Sequence, residues 1–256
     1  MTERENRTVM IVDGSATMRY YYGIVLKRLK YAVLTATTPE DALKLLEQTI
    51  PSLILTAVSF PFMSGVDFIK TIKSREGTKA VPVIVMTAEE QDSIRSASLA
   101  LGCVAYLIKP VEPVTLYRII QAAVETTPRE NIRISTSLKI IIGEGKARDA
   151  AERIEYATTL SEKGAYVRTL APKARNSHIP VRIFIHDREI RAQAVVIYTN
   201  ALEGGAFREP GMGLRFIEIN EDDRNYLRNF IKEQLTSDIV TGPPEDTGGV
   251  EIDLAK

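Results

Sequence analysis

The rhythm of apolar and polar positions changes near the middle of the chain. Up to Glu125, short unbroken apolar runs recur at Thr8–Val12, Ala32–Ala36, Leu53–Ala57, Val81–Met86 and Val104–Ile108. Runs of this kind suit strands of a parallel sheet, whose two faces are both covered. Helical spacing fills the gaps. Pro39–Thr49 places Ala42, Leu45 and Leu46 on one face, and Gly65–Ser74 does the same with Val66, Ile69 and Ile72. Pro113–Glu125 opens with proline, which suits a first helical turn, and repeats Leu116, Ile119, Ile120 and Ala123. Alternating strands and helices predict a doubly wound α/β sheet, with its functional crevice at the C-terminal ends of the strands.

After Thr126 the helical rhythm stops. Pro128 disfavours helix at Thr127, which makes 127–130 a linker between a domain over 1–126 and another over 131–238. Strand-like runs follow at Leu138–Ile142, Ile154–Leu160, Ala165–Leu170, Ile179–His186, Ile190–Thr199 and Leu214–Ile219, with a hairpin turn at His186-Asp187-Arg188. Strands without intervening helices predict a small antiparallel barrel. One helix closes it: Asn220 as cap, Glu221, Asp222 and Asp223 in the first turn, then Leu227, Phe230, Ile231 and Leu235 as an apolar stripe. Residues 239–256, rich in Gly, Pro and Asp, are expected to be disordered. No internal repeat is visible.

Composition narrows the function classes. The 256 residues carry 33 Lys plus Arg against 33 Asp plus Glu, with +1 on residues 1–126 and −1 on the rest. Nucleic acid and anionic membranes call for a positive field, so neither is an expected partner. A single cysteine, Cys103, forms no intramolecular disulfide and cannot build a cysteine-based zinc site; it reads as a small buried hydrophobe. Met1–Thr8 does not resemble a secretory signal, and no apolar run reaches the ~18 residues of a membrane helix, so the expected setting is the cytoplasm. His178 and His186 read as surface residues, and Tyr20, Tyr21 and Tyr22 as packing. Gly204-Gly205 and Gly211-x-Gly213 read as brackets of a loop rather than a dinucleotide fingerprint, which requires a strand before it and a helix after. No nucleophile–base–acid set is legible, so an enzyme is not expected.

Four pieces of the first half, in order, carry a family resemblance: Ile11-Val12-Asp13, the stretch from Pro51 to Gly65, Val85-Met86-Thr87-Ala88, and Tyr106-Leu107-Ile108-Lys109-Pro110. Over residues 7–126 the chain resembles response-regulator receiver domains, which implies a flavodoxin-like fold and a two-component signalling context. A working receiver phosphorylates an aspartate and holds Mg²⁺ with that residue and an acidic pair. Here the acceptor position falls on Ala57, and the pair is reduced to Asp13 followed by Gly14; Ser59 would not point into the same site. The resemblance therefore implies a pseudo-receiver without aspartyl phosphorylation or metal. Thr87, Tyr106 and Lys109 persist, either as a switch or as packing in which Lys109 pairs with Asp13. The remaining role is protein contact, including homodimerisation, through the fourth helix, fifth strand and fifth helix, about Gln91 to Glu125.

The second half has its own signatures: Arg129-Glu130-Asn131-Ile132-Arg133, Thr159-Leu160-Ser161-Glu162-Lys163-Gly164, Gly211-Met212-Gly213-Leu214-Arg215-Phe216, then Asp223-Arg224 and Leu227. Over residues 129–236 these resemble a PilZ domain, a six-stranded barrel with a C-terminal helix, through its RxxxR and (D/N)xSxxG motifs. The resemblance implies cyclic di-GMP as ligand, held by Arg129, Arg133, Thr159, Ser161 and Gly164. The chemistry is apt, because the arginine fork binds phosphates bidentately, stacks on purines and matches the O6/N7 edge of guanine. Thr159 departs from the pattern, offering one neutral hydroxyl where the family has a carboxylate or amide. The implied protein is a bacterial signalling adaptor in which ligand capture next to the linker rearranges the domains. The alternative is a ligand-independent interaction scaffold with both domains degenerate.

Overall fold

The computed structural model describes residues 7–125, 131–143, 153–200 and 209–237. The predicted linker 127–130, Arg129, Gly204-Gly205 and the tail 239–256 lie outside them. The chain divides into two compact units, the second being Asn131–Gln234.

In the first unit strands and helices alternate: β1 (Thr8–Val12), α1 (Ala16–Arg28), β2 (Ala32–Ala36), α2 (Pro39–Gln48), β3 (Leu53–Thr56), α3 (Gly65–Ser74), β4 (Val83–Thr87), α4 (Asp92–Ala100), β5 (Ala105–Ile108) and α5 (Pro113–Val124). The strands form a parallel sheet in the order β2-β1-β3-β4-β5, the flavodoxin-like winding, in which the order reverses beside β1. Its central strands are buried on both faces, which explains their unbroken apolar sequence. Three helix starts are capped by hydroxyls: Ser15 accepts from Met18 N–H, Thr38 from Asp41 N–H and Ser64 from Asp67 N–H. The predicted strand at Val81 begins two residues later, because Pro82 has no N–H to donate to the ladder. Of the three tyrosines on α1, Tyr22 is fully buried, and its hydroxyl accepts from Val111 N–H.

The second unit is a closed antiparallel barrel of β6 (Ile134–Ile142), β7 (Arg153–Ser161), β8 (Gly164–Arg168), β9 (His178–Ile185), β10 (Arg188–Asn200) and β11 (Gly211–Ile219), followed by α6 (Glu221–Thr236). Around the barrel the order is β10-β11-β8-β7-β6-β9. Ile140, Ala157, Leu160, Val167, Ile183, Ile190, Val196 and Leu214 fill its interior. All six strands differ from the sequence pattern at one end or both, and three of the differences have a clear local cause. β6 starts four residues early, where Ile134-Ser135-Thr136-Ser137 dilutes the apolar signal and a bulge interrupts the register before Leu138. β9 stops at Ile185 because His186, at φ 51°, is the first residue of a two-residue turn. β11 starts at Gly211, three residues before the expected start, so Gly211 and Gly213 belong to the strand itself.

The cap of α6 is reciprocal: Asn220 Oδ1 accepts from Asp223 N–H, and Asn220 Nδ2 donates to Asp223 Oδ2. The Asp223 carboxylate is buried and receives Arg188 Nη2 at 2.7 Å and Nε at 3.0 Å. No helix among the described residues is long and apolar enough to cross a membrane.

Candidate functional site

Two groups of side chains stand where the folds expose chemistry. In the first unit the C-terminal ends of β1, β3, β4 and β5 bring Asp13, Ala57, Thr87 and Lys109 together. β1 pairs with β3, β3 with β4 and β4 with β5; Ala57 N–H donates to Val12 O and Lys109 N–H to Thr87 O. Lys109 Nζ forms an ion pair with Asp13 Oδ2, and Asp13 is 3% exposed. Ser15 N–H donates to the other carboxylate oxygen at 2.9 Å. Thr87 Oγ1 is occupied locally, donating to Glu89 O at 2.9 Å and accepting from Glu89 N–H. The Tyr106 hydroxyl is buried with no hydrogen-bond partner among the described residues.

The divalent cation implied by such a crevice does not fit these residues. Ala57 contributes a methyl group, Asp13 is the carboxylate at hand, and an ammonium group already lies against it. Among the described residues no three His, Cys, Asp or Glu side chains group together as a metal site. Packing reinforces the arrangement: a Cβ on Gly65 would lie 2.4 Å from Ala57 O, so the loop after β3 is pressed against α3.

In the second unit, Arg133, Thr159, Ser161 and Gly164 gather at one end of β6, β7 and β8. Ile134 pairs with Leu160 and Ser135 with Thr159, so Arg133 stands one residue ahead of the ladder, opposite the Ser161 end of β7. Ser161 pairs with Gly164 across a two-residue turn made by Glu162 and Lys163. Arg133 is exposed, and among the described residues it makes no ion pair, nor does the Thr159 hydroxyl make a hydrogen bond. Ser161 and Gly164 are differently placed. Ser161 Oγ donates to Gly164 O at 3.0 Å within the hairpin. A Cβ on Gly164 would lie 2.1 Å from Leu214 O, so this glycine lets β8 and β11 approach each other. Arg129 falls outside the described residues.

Long-range partners of this hairpin were hidden from sequence reading. Arg228 on α6 donates through Nη2 to Glu162 Oε1 at 2.6 Å and through Nε to Oε2 at 3.3 Å. That hydrogen bonding, against some opposing burial, holds the Glu162 carboxyl below the usual glutamate range. Lys163 O accepts from Phe216 N–H at 2.9 Å. Glu162 and Arg228 are 66 apart in sequence, and no local motif signals the pair. A separate open cleft of about 810 Å³ lies over β9, β10 and β11, lined by Arg182, Arg191, Gln193 and Arg224 among others. Arg133, Thr159, Ser161 and Gly164 do not border it.

Residues 9–121 match the response regulator receiver domain family, and residues 126–233 match the PilZ domain family. Protein PilH of Pseudomonas aeruginosa is 30% identical over 114 residues, covering 44% of this chain and 94% of that protein. The rice two-component response regulator ORR7 is 35% identical over 112 residues, covering 43% of this chain and 53% of its own length. The chain thus spans about half the length of several curated relatives that it matches. Among solved structures, the chemotaxis protein CheY4 of Vibrio cholerae is 27% identical, covering 46% of this chain and 98% of that one, with a TM-score of 0.44. A putative response regulator from Chloroflexus aurantiacus is 28% identical, with 46% and 97% coverage and a TM-score of 0.45.

The fold and the sequence matches together define a signal-transduction protein. The chain belongs to the response-regulator receiver family through its first unit, and its second matches the PilZ domain family over residues 126–233. PilZ domains are a cyclic di-GMP-binding class, and both domain types are generally non-catalytic.

Proposed function

We propose that this chain is a non-catalytic cyclic di-GMP effector whose receiver acts as an interaction module. The observation that carries the reading is the convergence of Arg133, Thr159, Ser161 and Gly164 at one end of the barrel, with the Arg133 guanidinium and Thr159 hydroxyl unengaged among the described residues. Arg129 and Arg133 grip the phosphates and one guanine from the linker side, and the hairpin supplies the opposite wall. Because the pair runs from within the predicted linker 127–130 into the domain that follows, ligand capture fixes the chain's path between the two units.

Ala57 has no oxygen to attack phosphorus, and Lys109 neutralises Asp13 from within. The receiver therefore acts without aspartyl phosphorylation. Leu99, Val104 and Ile108, each 45% exposed, mark its α4–β5 side as the surface for a protein partner or a second copy.

Calorimetric titration of the full chain with cyclic di-GMP, beside an Arg129→Ala/Arg133→Ala variant, tests the first claim. Micromolar or tighter binding that vanishes in the variant supports it. Absence of binding at high micromolar ligand, confirmed by a second assay, leaves the scaffold reading. That second reading draws on Ser161 and Gly164, which the hairpin already employs structurally. Thr159→Asp separates the two: a pocket gains about five- to tenfold in affinity from the restored charge, whereas a scaffold is indifferent.

A further inference from the structure

The row of residues running across the barrel from Thr159 has a composition that packing alone does not require. Ser135 pairs with Thr159, Thr159 with Tyr166, Tyr166 with Gly213 and Gly213 with Tyr198, one residue from each of five neighbouring strands. Cross-strand partners share a face. The neighbouring pairs Ala157–Val167 and Leu160–Ala165 are buried, so this row faces outward.

Two glycines let the two tyrosine rings lie over β11. A Cβ on Gly213 would come within 2.3 Å of Tyr198 Cε1, and one on Gly211 within 2.9 Å of the Tyr166 hydroxyl. The ring centroids are 6.1 Å apart with planes 24° apart. Tyr198 remains 43% exposed. A glycine inside a strand marks close approach by something else: at Gly213 it is the Tyr198 ring, and at Gly211 the Val167 carbonyl oxygen, 2.2 Å from such a Cβ, together with the Tyr166 hydroxyl.

A carboxylate flanks the rings. Thr158 Oγ1 donates to Glu209 Oε2 at 2.8 Å, and the Arg168 guanidinium lies 3.6 Å from Oε1. The Tyr166 hydroxyl donates to Glu209 O and accepts from Asn200 Nδ2 at 3.0 Å. The Glu209 side chain, 39% exposed, thus stands beside the rings with acceptor capacity to spare, since a carboxylate has about four lone-pair sites.

We infer that Tyr166, Tyr198 and Glu209 form a shelf that seats one guanine of the dinucleotide, its plane on the rings and its N1–H and N2–H on the Glu209 carboxylate. This rests on the proposed cyclic di-GMP reading and deepens it. The acceptor that position 159 lacks is supplied from position 209, anchored by the residue next to Thr159. Adenine presents an acceptor at N1 and no amino group at C2, so the same carboxylate rejects it.

The test titrates the full chain with cyclic di-GMP and cyclic di-AMP, using wild type, Arg133→Ala, Glu209→Gln and Tyr198→Leu, with thermal midpoints as a check on folding. Glu209→Gln is expected to weaken cyclic di-GMP about tenfold or more, from loss of bonds to a charged acceptor, and to narrow the preference over cyclic di-AMP. Tyr198→Leu keeps an apolar cover over Gly213 and is expected to weaken both ligands about tenfold, from lost stacking. If Tyr198→Leu unfolds, Glu209→Gln alone decides. Wild-type binding that Arg133→Ala abolishes while both shelf variants match wild type overturns the shelf and leaves the proposed function standing. Failure of the wild type to bind cyclic di-GMP overturns both.

Discussion

Asp13 is a buried carboxylate whose counter-ion is a side chain of the same chain. Removing one partner of a buried pair strands the other charge, at a cost of about 3–5 kcal/mol. Lys109→Met should therefore lower the stability of the receiver by about 3 kcal/mol in urea denaturation, and adding Asp13→Asn should recover most of it. Equal stability of wild type and the single variant would show that the pair contributes nothing. Cys103 illustrates burial acting on reactivity: desolvation pushes its thiol up to about 11, despite the opposing field of Lys73. The thiolate is the reactive form, so alkylation at pH 8 should be slow in the folded protein and rise sharply in denaturant. Gly164 is constrained by backbone rather than charge. With Leu214 O in the way of a Cβ, Gly164→Ala should destabilise the barrel by about 2 kcal/mol or more, measurable by chemical denaturation.

At the scale of elements, the β7–β8 hairpin and α6 are held to one another by Glu162 and Arg228. The folded-state pKa of Glu162 is lowered, so its contribution is fully present above the ordinary glutamate pKa and is lost as pH falls through the lowered value. With the Arg228 side chain 43% exposed, solvent screening limits the effect to about 1 kcal/mol or less. The stability gap between wild type and Glu162→Gln should hold constant at neutral pH and close on acidification below about pH 4. A gap that persists in acid would point to packing instead. Element types were legible in the sequence wherever burial was uniform: β1, β2 and α3 have the boundaries their apolar periods imply. Legibility failed where a strand carries polar or glycine residues for reasons set by its neighbours. Ser135-Thr136-Ser137 faces a bulge, Gly213 accommodates the Tyr198 ring from β10, and Gly211 accommodates the β8 backbone at Val167 O and the Tyr166 hydroxyl. For the candidate site, the motifs marked Arg133, Thr159, Ser161 and Gly164. Glu209 and Arg228 had no local signature, since only the closed barrel brings them to β7 and its hairpin.

For the whole molecule, the question is whether one unit informs the other. A ligand gripping Arg129 and Arg133 constrains the chain where the receiver gives way to the barrel. Saturating cyclic di-GMP should therefore change the small-angle scattering profile of the full chain and leave that of the Arg129→Ala/Arg133→Ala variant unaltered. An unchanged wild-type profile under confirmed saturation would confine the ligand's effect to the barrel's surface.

The ring of six strands in the second unit has a further consequence. Such a ring has no first or last member, so it lacks the free edge strand that an incoming chain would extend. Recognition must then be written in side chains and in the loops at the rims. Inward residues and the close-packed strand glycines hold the barrel, whereas the remaining outward side chains bear less on folding, so binding preferences can drift through substitutions among them. Along the outward row from Thr159 to Tyr198, a handful of exchanges would be enough to change which ligand the surface prefers.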